Sequence, residues 1–260
     1  MYSIQMFLGK CRRHSCPDDT VCVPDGATSS KRYSCEPSDT NGNQTNHTLQ
    51  IPVTWPSGMY GLMMTSNGCP GDLWLSGWRR FDTEDTDPDN YFTDGIKNYL
   101  KGYFEIDDIE THFCIKNIPS FTSCDTSWPK GSYCILMYGG SCPSGFQSGF
   151  IQWNNEDNGN KNARGGTLPD GVYDSDTRIY FCCRNDGLTS TAISLPTDQP
   201  FILVRISTAC QTVYGMGVTE VFVQWDEDDV DDASDPGGLH PYADDGFYNL
   251  RLYFCYYYNG

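Results

Sequence analysis

The sequence predicts an all-β protein. Its expected form is a pseudo-threefold, β-prism-like body of three internal repeats, with a β-trefoil-like body as the alternative, preceded by a small disulfide-rich N-terminal module. Three observations carry this. Residues that fill exposed helix faces are scarce, with 6 Ala, 7 Glu and 7 Lys among 260, whereas Tyr, Phe and Trp number 17, 13 and 6; aromatic side chains suit the pleated surface of a sheet. Turn formers abound, with 26 Gly, 15 Pro, and Asp as 27 of the 34 acids. From residue 51 onward the chain also repeats itself at intervals of about 70 residues, the signature of a repeated supersecondary unit.

The copies are legible one after another. Trp55-Pro56-Ser57-Gly58-Met59-Tyr60 returns as Trp128-Pro129-Lys130-Gly131-Ser132-Tyr133, and nine positions after each Tyr comes Cys-Pro, at Cys69 and Cys142. Gly77, Phe81 and Glu84-Asp85 then correspond to Gly149, Trp153 and Glu156-Asp157, and Phe113-Cys114 closes the first copy as Phe181-Cys182 closes the second. A weaker third copy starts at Leu195-Pro196, keeps the nine-position step from Phe201 to Cys210, and runs through Trp225-Asp226 to Phe254-Cys255. The copies span about 51–120, 121–190 and 191–260. Alternation in Val221-Phe222-Val223-Gln224-Trp225 and Arg251-Leu252-Tyr253-Phe254-Cys255 reads as strands. Three sheets closed on one another would leave few exposed edges, and trefoil copies are usually shorter than these.

Each copy carries one early cysteine and one in its closing strand, so Cys69 is expected to pair with Cys114, Cys142 with Cys182, and Cys210 with Cys255. Neighbouring strand residues face opposite ways, so Cys183 needs a different partner, Cys134 or Cys124. Thirteen cysteines without a C-x-x-C pair point to disulfides and an oxidising, extracellular compartment. Residues 1–36, with Cys11, Cys16, Cys22 and Cys35, read as a small stapled module, partly EGF-like. Residues 37–50 read as a polar linker, and its sequons make Asn43 and Asn46 candidate glycosylation sites. The opening residues lack a basic-then-apolar leader, so any leader is expected to have been removed.

The 17 basic against 34 acidic residues give a net charge of −17, which disfavours nucleic acid and anionic membranes as partners. No run of about 20 apolar residues is present to span a bilayer.

These strings, with Gly166-Thr167-Leu168-Pro169-Asp170-Gly171-Val172-Tyr173, Ile179-Tyr180-Phe181-Cys182-Cys183-Arg184 and His240-Pro241-Tyr242, resemble the ApeC domain of apextrin-like proteins from about Trp55 to Tyr257. The resemblance implies a secreted invertebrate protein of innate defence, matrix or mucus, recognising bacterial cell-wall glycan, peptidoglycan and its muramyl peptide. It implies no catalytic residues.

Candidate sites follow from residue chemistry. An aromatic face beside carboxylates and amides is the usual means of holding a sugar. Trp153 with Asn154, Asn155, Glu156 and Asp157 is the best such cluster, and Trp225-Asp226 the second. A buried, repeated core position is the competing reading for both tryptophans. Asp226, Asp228, Asp229, Asp231 and Asp232 form the densest acidic run, a candidate calcium loop or a solvated acidic one; no cofactor is otherwise implied. Arg164 and Arg184 would suit a carboxylate or a local ion pair. His240 and Tyr242 read as ligand contacts or loop anchors. His14, His47, His112 and His240 lie far apart and no G-x-S-x-G is present, so a binding protein rather than an enzyme is expected. Its partner is then a microbial glycan or, alternatively, host mucin or a matrix protein.

Overall fold

A computed structural model describes residues 54–83, 89–121, 125–155, 160–227, 236–246 and 249–259, together with the backbones of two N-terminal strands. Those strands, β1 (Thr20–Pro24) and β2 (Tyr33–Pro37), pair antiparallel and set Cys22 opposite Cys35. Most of the expected N-terminal module and the linker, including Asn43 and Asn46, lies outside the described residues.

From residue 54 the described chain is all-β and antiparallel, with a single 3₁₀ turn at Ile96–Asn98. The first stretch contains β3 (Tyr60–Met63), β4 (Leu75–Asp82), β5 (Tyr91–Phe92), β6 (Gly102–Phe104) and β7 (Asp108–Lys116). The second contains β8 (Ser132–Met137), β9 (Gln147–Trp153), β10 (Ala163–Gly166), β11 (Gly171–Tyr173) and β12 (Thr177–Asn185). The third contains β13 (Phe201–Val204), β14 (Gly217–Asp226), β15 (Gly237–Gly238), β16 (Ala243–Gly246) and β17 (Asn249–Tyr258). In the first stretch β3 and β6 share one edge of β7 and β4 takes the other. β8 and β11 flank β12 opposite β9, and β13 and β16 flank β17 opposite β14, in the same way.

The remaining strand of each stretch is lent to another. β10 pairs with β4, β15 with β9 and β5 with β14, so the exchange runs round all three. Two glycines make room for it. A Cβ at Gly77 would stand 2.1 Å from the carbonyl oxygen of Thr167, and one at Gly149 would stand 2.2 Å from that of Leu239. Just before those carbonyls the lent strands turn at Gly166 and Gly238, at φ +71° and +68°, a region that costs glycine little. The third stretch has Val221 at this place and receives Tyr91–Phe92 instead.

Pairing between the stretches joins β3–β17 into one fifteen-stranded sheet, and the period-two pattern buries one face of the section that each stretch forms. Phe81, Phe113, Trp153, Phe181, Trp225 and Phe254 belong to one core cluster. Trp55, Tyr60, Trp128, Tyr133, Leu195 and Phe201 belong to a second, under the opening strands. Burying one such side chain contributes about 1.5–3 kcal/mol. The repeated Trp-Pro-x-Gly-x-Tyr string builds a corner for the second cluster: Tyr60 donates its hydroxyl to the Pro56 carbonyl at 2.9 Å and Tyr133 to that of Pro129 at 2.5 Å, while Trp55 meets Trp128 at 6.1 Å. Leu195, fully buried, occupies the place of the missing third Trp.

Disulfides join Cys69 to Cys114, Cys142 to Cys182 and Cys210 to Cys255, with Cα separations of 5.5, 5.4 and 5.7 Å. Cys183 bonds Cys134, directly opposite it in the β8–β12 register. Loops of this size correspond to about 4 kcal/mol each in the chain-entropy treatment.

Candidate ligand-binding site

Trp153 and Trp225 point inward and are each 2 % exposed. With Phe81 they form a closed aromatic triad, one ring from each stretch, at 5.2 Å for Phe81–Trp153, 5.6 Å for Phe81–Trp225 and 5.5 Å for Trp153–Trp225. The sugar-platform reading of these two tryptophans is therefore corrected: their π faces are spent on each other. Asn155 is likewise buried, and its Oδ1 accepts from the Thr177 hydroxyl at 2.8 Å. Thr177 Oγ1 in turn accepts from Arg79 Nε and Nη2 at 3.0 and 2.7 Å. Burial, with the neighbouring Arg164 adding to it, lowers the Arg79 guanidinium to about 10. Asn155 thus belongs to an interior polar chain rather than to a surface site.

Asp226 is also buried and accepts the backbone N–H of Asp89 at 2.7 Å. Its proposed companions Asp228, Asp229, Asp231 and Asp232 lie outside the described residues, as do Glu156 and Asp157. Among the described residues no three His, Cys, Asp or Glu side chains converge as a metal-ligand group.

Three candidates do reach the surface. Arg164 is exposed on β10 with its guanidinium 5.7 Å from the Tyr173 ring. His240 Nδ1 lies 2.8 Å from the Pro241 carbonyl, the local contact of a loop anchor. Tyr242, 36 % exposed, donates to Asp244 Oδ1 at 2.7 Å. Arg184, by contrast, is buried and bonded to Asp186 and to the Trp128 carbonyl.

Around Tyr242 the fold assembles residues that sequence reasoning missed. Arg205 lies 4.7 Å from the Tyr242 ring centroid and 3.7 Å from that of Tyr253. Tyr253 adjoins Phe222 at 6.1 Å, and Phe222 adjoins the exposed Tyr91 at 5.3 Å. Arg251 stands over Phe222 at 4.7 Å and donates through Nε to Gln224 Oε1 at 3.1 Å. The strip thus crosses the outer face of the third section from the lent β5 to the chain between β15 and β16. Hydrogen bonds from Tyr253, then Tyr242, hold the Asp244 carboxyl below its ordinary range, and the same carboxylate raises the Tyr242 hydroxyl. Near neutral pH the face therefore presents ionised Asp244, held by the Tyr242 and Tyr253 hydroxyls, and the half-buried Arg251 guanidinium, while Arg205 is buried and ion-paired with Glu220. Arginine edges read carboxylates, and aromatic rings accept the C–H face of a sugar. The only sequence signal was alternation: Phe222, Gln224, Arg251 and Tyr253 occupy the phase opposite to the buried Val221, Val223, Trp225, Leu252 and Phe254.

The family model of the C-terminal domain of apextrin, ApeC, matches residues 55–257. The chain belongs to this family. No curated protein and no solved structure matched. Among the described residues no helix is long and apolar enough to cross a membrane.

Proposed function

We propose that the chain is a secreted recognition protein of innate defence that binds bacterial cell-wall glycan, peptidoglycan and its muramyl peptide, without catalysis. The scaffold for this binding is a disulfide-hardened, pseudo-threefold, β-prism-like body. Family membership and four core disulfides support an extracellular role in which bound ligand meets a rigid surface. The observation that carries the reading is the outer-face strip in which Arg251 and Arg205 stand over Phe222 and Tyr253, beside the exposed rings of Tyr91 and Tyr242. The Arg251 guanidinium supplies the grip for a lactyl or peptide carboxylate, and the rings supply an apolar bed for the sugar.

The same chemistry favours a second reading, capture of acidic sugars on host mucin or another matrix protein. Retention of the intact protein on insoluble peptidoglycan and on immobilised mucin, at physiological salt, separates the two. The lead reading expects retention on peptidoglycan; retention on mucin alone transfers the function to the host partner. Loss of all retention on raising the salt would reduce either result to charge attraction without ring contacts.

A further inference from the structure

The second section repeats the core of the strip residue for residue. Arg178 stands directly opposite Gln152 in the β9–β12 register, as Arg251 stands opposite Gln224 between β14 and β17. Each arginine donates through both Nε and Nη2 to its glutamine's Oε1, with Nε distances of 3.0 and 3.1 Å. Each guanidinium covers a phenylalanine, Phe150 at 4.5 Å and Phe222 at 4.7 Å. Beside each phenylalanine lies a tyrosine, Tyr180 at 5.9 Å and Tyr253 at 6.1 Å.

The electrostatic setting of the two arginines is unusual for a chain of net charge −17. Arg80, Arg184 and Arg205 each form an ion pair with a carboxylate, whereas neither Arg178 nor Arg251 does among the described residues. Asp244, opposite Arg251 in the β16–β17 register, accepts the hydroxyls of Tyr242 and Tyr253 instead. A neutral amide orients each guanidinium through Nε and Nη2 on a half-buried surface, and Arg251 also lies within hydrogen-bonding reach of the Tyr253 hydroxyl. Beside Arg178 an open groove of about 280 Å³ is lined by Gln152, Val172, Asp174, Ser175 and Asp176. Its Ser175 and Asp174 side chains offer partners for sugar hydroxyls.

The first section has lost the arrangement. Arg80 holds the place of the glutamine and Glu110 that of the arginine. Arg80 turns to Asp108, and Glu110 accepts from His112 Nε2 at 2.7 Å, so the charges are satisfied internally.

We propose that the chain carries two equivalent sites for a carboxylate-bearing sugar, one built on Arg178 and Phe150 and the other on Arg251 and Phe222. In each, the guanidinium edge takes the carboxylate and the neighbouring tyrosine supports the ring. The proposal rests on the glycan-binding reading above and adds ligand class and number: two sites per chain, neither one nor three. The carboxylate is shared by the muramic acid of bacterial wall and the sialic acid of host glycans.

Titration calorimetry of the intact protein with N-acetylmuramic acid, whose lactyl carboxylate is free, with sialyllactose and with neutral N-acetylglucosamine tests this. The expected result is two sites per chain for one acidic probe, with affinity at least about tenfold above that for the neutral sugar, since a hydrogen bond to a charged group contributes about 1.5–3 kcal/mol. Which acidic probe binds identifies the source. Arg178→Gln and Arg251→Gln should each leave one site and the double variant none, while Arg→Lys at either position should weaken its site without abolishing it. Unchanged melting temperatures serve as the folding control. A wild-type stoichiometry of one, or loss caused by Arg251→Gln alone, overturns the paired sites and leaves glycan binding standing. Equal affinity for the neutral sugar overturns the carboxylate assignment. No binding of any probe, together with no retention on peptidoglycan or mucin, overturns both.

Discussion

Trp153 and Trp225, from successive copies of the repeat, meet edge to face with ring centroids 5.5 Å apart. Phe81 closes the ring from the first copy. A residue marked by repetition thereby becomes the joint at which the three stretches meet, each contact adding about 0.5–1.5 kcal/mol beyond burial.

Substituting any member of this triad should act on stability before function. Trp153→Ala and Trp225→Ala are each expected to cost about 3–5 kcal/mol by the cavity they leave, measured by guanidinium unfolding. In a double variant the two losses should not add, because the rings share a contact. Losses near 0.5 kcal/mol would mean that the rings are exposed in solution.

How far all this could be read from sequence depends on which question is asked. The Trp-Pro-x-Gly-x-Tyr corners and the step from Tyr60 to Cys69 were legible because local strings build them. The repeated Phe81, Trp153 and Trp225 were legible as equivalent, and repetition pointed to the buried core position that the structure shows; their contact with one another was not, since it depends on how distant strands pack. The outer-face site needs cross-strand register: Arg178 meets Gln152, and Arg251 meets Gln224, only after the sheets form. The lent strands were invisible, for Ala163–Gly166 and Gly237–Gly238 are short, rich in glycine and without alternation.

A buried ion pair supports the first copy. Lys116 lies 3.6 Å from Asp125, with side chains 0 % and 1 % exposed, and its ammonium also donates to the carbonyls of Gly58, Ile118 and Pro119. Lys116→Met should cost about 3–5 kcal/mol because it leaves a buried carboxylate without its cation. Adding Asp125→Leu should recover part of that loss in denaturant unfolding. Full additivity of the two would contradict a coupled pair.

Acid should weaken the second copy at a defined place. Hydrogen bonds from Arg184 lower the Asp186 carboxyl from 3.8 to about 2. A depressed folded-state value means that the stabilisation is complete well above pH 3.8 and disappears as pH falls through about 2. The Asp186 side chain is 40 % exposed, so solvent screening keeps the effect modest. The melting-temperature gap between wild type and Asp186→Asn should be constant above about pH 5 and close between pH 4 and 2. A gap that widens on acidification would reverse the assignment.

The most direct test of glycan recognition by the outer faces is a quantitative pull-down on insoluble peptidoglycan at physiological salt. Wild type is compared with the Arg178→Gln/Arg251→Gln double variant, and with Lys101→Gln/Lys130→Gln, two exposed positions, as a surface control of equal charge change. Retention should persist for wild type and the lysine variant and fall at least tenfold for the folded arginine variant. Equal retention of all three proteins would contradict recognition at these faces.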